Sequence, residues 1–463
     1  MSDMAELARR NAWGIARDLA TGEVSPVALT RFLLAQAETQ SAENVYLNIM
    51  GQRALADAAS SAERLEKGRP RSAFEGVPIA FKDLFDIKGE VTSAGSPIYE
   101  GAPAAKADAT AVARARAAGM VILGKLNLTE FAYSGLGLNP YFGTPLNPHS
   151  RTEAHIPGGS SSGSGVAVAR GLAPLTIGTD TGGSVRIPAA FNGIVGFKPS
   201  EGRFDKSGVF ALSPTLDTIG PLARTVQDCI AMDMVLRGRP VQKQRPRTIA
   251  GQRLLVPENM VLEGLEPAVA ANFERSVELL ARAGGHIERL KLDAFSRVMQ
   301  LTADHGTITA AEAFQCHQQL MESAQKELVD QRVAARIMAG AKMGTSKLKF
   351  LRHARLRLIE EFNSSVGEAL VLMPTTPMVA PELDPLKTDD GLFHKTNILA
   401  LRNTSLGNFL NMPGLALPNG IDKNSMPTSL LVSATDGQDS ALLRTGLEIE
   451  HLHEKVRLAP PQT

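Results

Sequence analysis

The sequence predicts an α/β protein, and three observations carry that prediction. "GVPIAF" at 76–81 places Val77, Ile79 and Phe81 in the alternation of a short strand. "DATAVARARAAG" at 108–119 puts Ala109, Val112, Ala113 and Ala117 on one helical face, with Asp108 as N-cap and Gly119 as stop. "MVILG" at 120–124 is a short, fully apolar strand. Strand, helix and strand in close succession are the pattern of helices layered on a sheet.

The flanking chain extends the pattern. Residues 15–50 read as two helices, broken by "GEVSP" at 22–26, where Ser25-Pro26 opens the second. After the first strands comes the Gly/Ser stretch "PGGSSSGSG" at 157–165, then a short helix through "VAVAR" and a strand, "LTIG", at 175–178. "TDTGGSVRIPAAFNG" turns sharply into a helix, and "IVGFKP" is a further strand. Beyond about residue 240 the texture is more helical, with "EPAVAANFERSVELLARAGG" and "KLKFLRHARLRLIEEF" as long amphipathic segments. Strands return in "ALVLMP", "GLALP" and "TSLLVSA". With no fixed-period repeat and no hinge-like linker, the chain reads as one continuous α/β unit.

Totals narrow the class. At 463 residues, 43% hydrophobic and 21% charged, the composition is that of a globular protein rather than a disordered one. The formal net charge is +1, from 49 Lys+Arg against 48 Asp+Glu, and gives no electrostatic reason to expect nucleic acid or an anionic membrane. Two cysteines, Cys229 and Cys316, cannot build a disulfide framework or a zinc quartet. The N-terminal stretch has no apolar core of the kind a secretory signal needs, and no run approaches the roughly 20 apolar residues of a membrane helix. The expected location is the cytoplasm.

The Gly/Ser stretch is the most informative segment. A linker of this composition joins self-contained domains, yet strand-like and helix-like segments crowd both sides here. A second Gly-rich turn, "GTDTGGS" at 178–184, follows within the same region, and paired turns at strand ends are where sites form. A phosphate loop fails, because Gly163 and Gly165 are followed by Ser164 and Val166 rather than by Lys-Ser/Thr. A dinucleotide fingerprint fails as well, its third glycine falling at Val168. Gly159–Gly163 matches G-x-S-x-G only formally, because polar "SRTEAHIPGG", with Pro157, stands where a strand should lead in.

A serine site lacking histidine remains. A serine hydroxyl needs a base, and a buried lysine serves if burial keeps its amine neutral. Lys82 follows the apolar strand "GVPIAF"; taken alone, it reads first as a surface lysine at a strand end.

Three ordered segments together resemble the amidase signature family: "GVPIAFKDLFDIKG" at 76–89, "PGGSSSGSGVAVARG" from Pro157, and "GTDTGGSVRIPAAFNGIVGFKPS" at 178–200. "GKLNLTEFAYSG", "YFGTPLNP", "MPTTP" and "NFLNMPGLALP" extend the resemblance more weakly. It implies one large domain over 1–463, built on a central mixed, mostly parallel twisted sheet with helices on both sides. Within that domain, 1–70 would be N-terminal helices, 71–235 the core carrying the catalytic residues, and 236–463 a helical and strand region shaping the substrate pocket.

By motif position, the resemblance makes Ser184 the nucleophile, Lys82 the base and Ser160 a bridging serine in a cis peptide. If Ser184 opens the following helix, the backbone N–H groups of Thr181, Gly182, Gly183 and Ser184 converge as an oxyanion hole. Asp180 and Arg186 read either as a supporting network or as an ordinary ion pair. Tyr133 and Ser134 read as pocket lining or as plain core residues. His451 and His453 lack partners at metal-binding spacing and read as solvated.

The implied reaction is hydrolysis of a small or medium linear carboxamide through an acyl-enzyme, with no metal or organic cofactor; esters are also admissible. Two other functions share these motifs. One is the ammonia-producing component of a tRNA-dependent amidotransferase, which would bring in a partner and nucleic acid; the other is a catalytically dead binding protein. The resemblance also admits a homodimer, and no membrane partner.

Overall fold

The computed structural model describes residues 4–39 and 42–456. Its first helices follow the expected punctuation. Ser25 accepts from the N–H of Val27 and Pro26 opens the helix Pro26–Ala37, so the side-chain cap and the proline act together. The helix predicted from Asp108 begins later, at Thr110–Ala117, with Ala109 as an uncapped N-terminal flank. Asp108 accepts instead from the Lys88 N–H and pairs with Arg116. Gly119, at φ +83°, ends the segment as predicted.

Eleven strands form a single sheet: β1 (Tyr46–Ile49), β2 (Pro78–Lys82), β3 (Val121–Leu126), β4 (Leu175–Asp180), β5 (Val195–Lys198), β6 (Thr218–Ala223), β7 (Arg253–Pro257), β8 (His286–Leu290), β9 (Leu370–Pro374), β10 (Gly414–Ile421) and β11 (Pro427–Ser433). Their spatial order is β1-β3-β2-β4-β6-β5-β10-β11-β9-β7-β8. The expectation of a mostly parallel sheet is wrong. Only four of the ten neighbouring pairs are parallel: β2/β3, β2/β4, β7/β8 and β7/β9. The other six are antiparallel.

The reason lies in the connections. Parallel neighbours need a crossover, which the 110–117 helix supplies between β2 and β3. β10 and β11 are joined by a five-residue turn, and β5 and β6 by a segment without a helix, so both pairs run back on themselves. The principal apolar core extends from Leu7 to Ile449 and includes Ile79, Phe81, Ile122, Ile177 and Leu417 from the sheet.

What matters for the site is that β2 and β4 are parallel neighbours, with Phe81 opposite Ile177. Lys82 at the end of one strand and Thr179 near the end of the other therefore emerge at the same edge.

Candidate active site

Lys82 is fully buried, and its Nζ lies 2.7 Å from Ser160 Oγ and 2.9 Å from Thr179 Oγ1. Burial drives the amine down from its usual value, Asp217 and Asp180 pull it partly back, and it settles at about 7. An amine there is substantially neutral at physiological pH, as a base must be. Among the described residues three lysines are fully buried or nearly so, and the other two are engaged differently. Lys125 pairs with Asp83 at 2.5 Å, and Lys198 donates to the Pro199 carbonyl at 2.6 Å.

Ser160 is held by the loop that precedes the helix Ser162–Arg170. The Gly159–Ser160 peptide is cis, as the resemblance implied. Gly158 has φ +72°, and a side chain on Gly159 would strike the Gly137 backbone N at 2.5 Å, so glycine is needed at both places. The loop is laced to the 129–135 segment: Gly159 N–H donates to Gly135 O (2.8 Å), and Thr129 N–H to Ser160 O (3.1 Å).

Ser184 sits in the turn after β4, 4% exposed. The helix that it was expected to open begins two residues later, at Arg186–Asn192, with Val185 in helical conformation before it. The Ser184 carbonyl accepts from the Ser161 N–H at 3.4 Å, joining the two loops, while its hydroxyl bonds no described residue. The Gly183 carbonyl accepts from Ile187 N–H (2.7 Å), and the Gly182 carbonyl from Thr404 Oγ1 (2.6 Å). The N–H groups of Gly182, Gly183 and Ser184 meet no acceptor among the described residues, so they are available to a ligand.

The turn is anchored below by Asp180 and Arg186, both fully buried. Arg186 reaches both carboxylate oxygens, at 3.0 and 2.9 Å, and the same carboxylate accepts from the Val185 N–H at 3.1 Å. Asn408 completes the group, donating to Asp180 Oδ1 (2.8 Å) and accepting from Arg186 Nη2 (2.6 Å). This is a network rather than an isolated ion pair. Burial alone would raise the Asp180 carboxyl, but Arg186 holds it well below the usual carboxylate range. Arg186→Met strands a buried carboxylate and is expected to cost about 3–5 kcal/mol of stability. A denaturant titration checks this; a loss below about 1 kcal/mol would show that Asp180 does not depend on its partner.

Tyr133 and Ser134 are buried beside the serine loop. Ser134 donates to Asn397 Oδ1 at 3.0 Å and accepts from Leu136 N–H at 3.1 Å, so it shapes the 134–136 turn. Tyr133 carries the Arg336 guanidinium 4.5 Å from its ring centroid. His453, read as solvated, is instead buried against Ser276 Oγ at 3.0 Å, whereas His451 is exposed. Among the described residues no three His, Cys, Asp or Glu side chains converge as metal ligands.

A family model described as Amidase matches residues 28–443. The chain belongs to the amidase family. Its curated relatives include the 2-amino-5-chloromuconic acid deaminase of Comamonas testosteroni, 33% identical over 419 residues and covering 88% of each chain. The A component of the glutamyl-tRNA(Gln) amidotransferase of Koribacter versatilis is 31% identical over 465 residues, or 93% of this chain and 95% of that one. Among solved structures, an amidase matches with a TM-score of 0.85 at 30% identity, covering 96% of this chain and 99% of that one. The native peptide amidase from Stenotrophomonas maltophilia matches at 0.78 and 25% identity, over 98% of both chains. Amidase-family chemistry is hydrolysis of a C–N bond.

Several residues at this amidase-family site escaped sequence reasoning. Thr179 touches Lys82, although only its position directly after the strand "LTIG" hinted at it. Asp217 is buried and accepts from Thr181 Oγ1 at 2.5 Å and from the Leu212 and Ser213 N–H groups at 3.0 Å; burial pushes its carboxyl up to about 6. A cavity of about 190 Å³ lies between Thr179, Lys206, Phe210 and Asp217. Among the described helices, none is long and apolar enough to cross a membrane.

Proposed function

We infer that the chain is a stand-alone amidase that hydrolyses a small or medium linear carboxamide through Ser184. The observation that carries this reading is the buried Lys82 amine, poised near neutrality against Ser160. In the proposed reaction Ser184 Oγ attacks the amide carbonyl carbon while its proton passes through Ser160 to Lys82. The carbonyl oxygen becomes an anion facing the N–H groups of the 181–184 turn. The C–N bond breaks, the departing nitrogen takes the proton back through Ser160, and ammonia or an amine leaves. Water, deprotonated by the same route, then attacks the acyl-enzyme, releasing the acid and restoring the Ser184 hydroxyl. No step draws on a metal or organic cofactor.

The test is ammonia or amine release by the purified chain from a panel of primary carboxamides, N-substituted amides, an ester and glutamine. Turnover of at least one carboxamide without a partner is expected. A second reading has support in the amidotransferase relatives. Glutamine hydrolysis that appears only when the other amidotransferase components are added would replace the first reading with the ammonia-supplying one. Failure of every substrate, together with no labelling of Ser184 by an alkyl fluorophosphonate, would leave a binding protein.

A further inference from the structure

Thr404 lies on the helix Asp390–Phe409, outside all three motif segments, and its hydroxyl donates to the Gly182 carbonyl at 2.6 Å. The hydroxyl has one proton, and its alternative acceptor, the Leu401 carbonyl, is farther off at 3.3 Å. Contact between helix and turn is so close that a side chain on Gly183 (φ +139°) would collide with Thr404 Oγ1.

A trans peptide is planar, with its C=O and N–H pointing in opposite directions. The Gly182–Gly183 bond is not cis. Drawing the Gly182 oxygen towards Thr404 therefore turns the Gly183 N–H away from the helix, and that N–H meets no described acceptor. The next peptide is fixed in the same way, its Gly183 oxygen held by the Ile187 N–H at 2.7 Å. One helical turn after Thr404, on the same face, Asn408 grips Asp180 and Arg186 at the base of the turn. Both ends of the turn are thus tied to one face of a single helix.

We propose that Thr404 is a positioning residue that aims the Gly183 N–H at the oxygen on which negative charge develops during acyl transfer. The inference rests on the reading of Ser184 as nucleophile. Its role is directional: without the hydroxyl, the peptide plane can rotate and the donor loses alignment. Hydrogen bonds weaken steeply with misalignment, and an oxyanion donor acts mainly in the transition state, so the loss falls on the chemical step.

The experiment compares the parent chain with Thr404→Val, which keeps the shape and loses the donor, and Thr404→Ser, which restores it. The probe is an alkyl fluorophosphonate, whose phosphonyl oxygen occupies the oxyanion position as it reacts with Ser184. Thr404→Val is expected to slow Ser184 phosphonylation about 10- to 100-fold, less than the roughly 10²- to 10³-fold cost of removing an oxyanion donor outright, because the donor is misdirected rather than lost. For the best amide of the panel, kcat is expected to fall by a similar factor with KM within about twofold. Thr404→Ser is expected to recover most of both rates, and the melting temperatures of all three to stay close. If the parent labels at Ser184 and Thr404→Val labels at the parental rate, this inference fails and the nucleophile assignment stands. If the parent takes no label at Ser184, the nucleophile assignment fails first. A Thr404→Val chain that no longer melts cooperatively is replaced by Thr404→Ala; if that also loses cooperative melting, Thr404 is structural and the proposal is overturned.

Discussion

A Ser184→Ala chain folds as the parent does and turns over no amide. The hydroxyl bonds no described residue, and what holds the turn is the Ser184 and Gly183 carbonyls together with the Asp180–Arg186–Asn408 network. Removing it costs little stability, and thermal melts of the two proteins should agree within a few degrees. Turnover is expected to fall by at least about 10⁴-fold, because loss of the nucleophile from a concerted set removes nearly everything that set contributes. An alkyl fluorophosphonate should add mass to the parent at Ser184 and nothing to the variant. Retention of more than a few per cent of parental turnover would sink the assignment, and the search would move to Ser160 or Ser161.

Substitutions at Ser184 and at Thr404 probe different components of one site. In the proposed reaction, the first deletes the attacking atom. The second leaves attack and proton transfer intact and disturbs only where a backbone donor points. A fall of about 10⁴-fold or more in one and of roughly tens of fold in the other is the hierarchy expected when nucleophile and base act as a unit and the oxyanion donors act beside them.

The motif-bearing half of this site was legible because its chemistry is local. Gly158, Gly159 and the serines around them define a turn by their own backbone freedom, and "GTDTGGS" defines another. Lys82 was placed correctly at the end of a strand, yet only the motif resemblance, and no property of the strand itself, sets it apart from Lys125 and Lys198, which are equally buried. The distinction lies in what each amine meets: a carboxylate, a carbonyl and one hydroxyl for Lys125, a carbonyl for Lys198 and two hydroxyls for Lys82. Neither of Lys82's partners, Ser160 and Thr179, is its sequence neighbour. Asp217, Thr404 and Asn408 were missed for the same reason, because they reach the turn from distant parts of the chain.

The sheet shows the same division. β2, β3 and β4 declare themselves by apolar runs beside helices, and their parallel pairing follows. β6 contains Gly220 and Pro221, two residues that argue against a strand, although it pairs with β4 over its whole length. Strand direction is then decided by connections such as the five-residue turn between β10 and β11, and extrapolating from one strand–helix–strand unit gave the wrong majority. His453 misled for a simpler reason: the helix Asp439–Val456 turns it inward while His451, two residues earlier, faces out.

Replacing Lys82 with methionine separates the two consequences of burying an amine. Activity is expected to fall about as far as in Ser184→Ala, since the base and the nucleophile act together. In the proposed reaction the neutral amine is the working form, so kcat/KM should rise as pH increases through about 7 and level off above it. Stability carries a different pH signature. The folded amine titrates near 7 and the unfolded one near 10.5, so between these values the unfolded chain binds more protons and parental stability climbs with pH. Below about 7 both forms are protonated and the full penalty of burial is present; above about 10.5 none remains. Methionine carries no such penalty, while the partner lost by Ser160 and Thr179 costs the variant alike at every pH. The melting temperature of Lys82→Met relative to the parent should therefore be distinctly higher at about pH 6 than at about pH 10. A difference that does not change across that range would mean that the amine is not held near neutrality, and with it would go the base on which the proposed reaction turns.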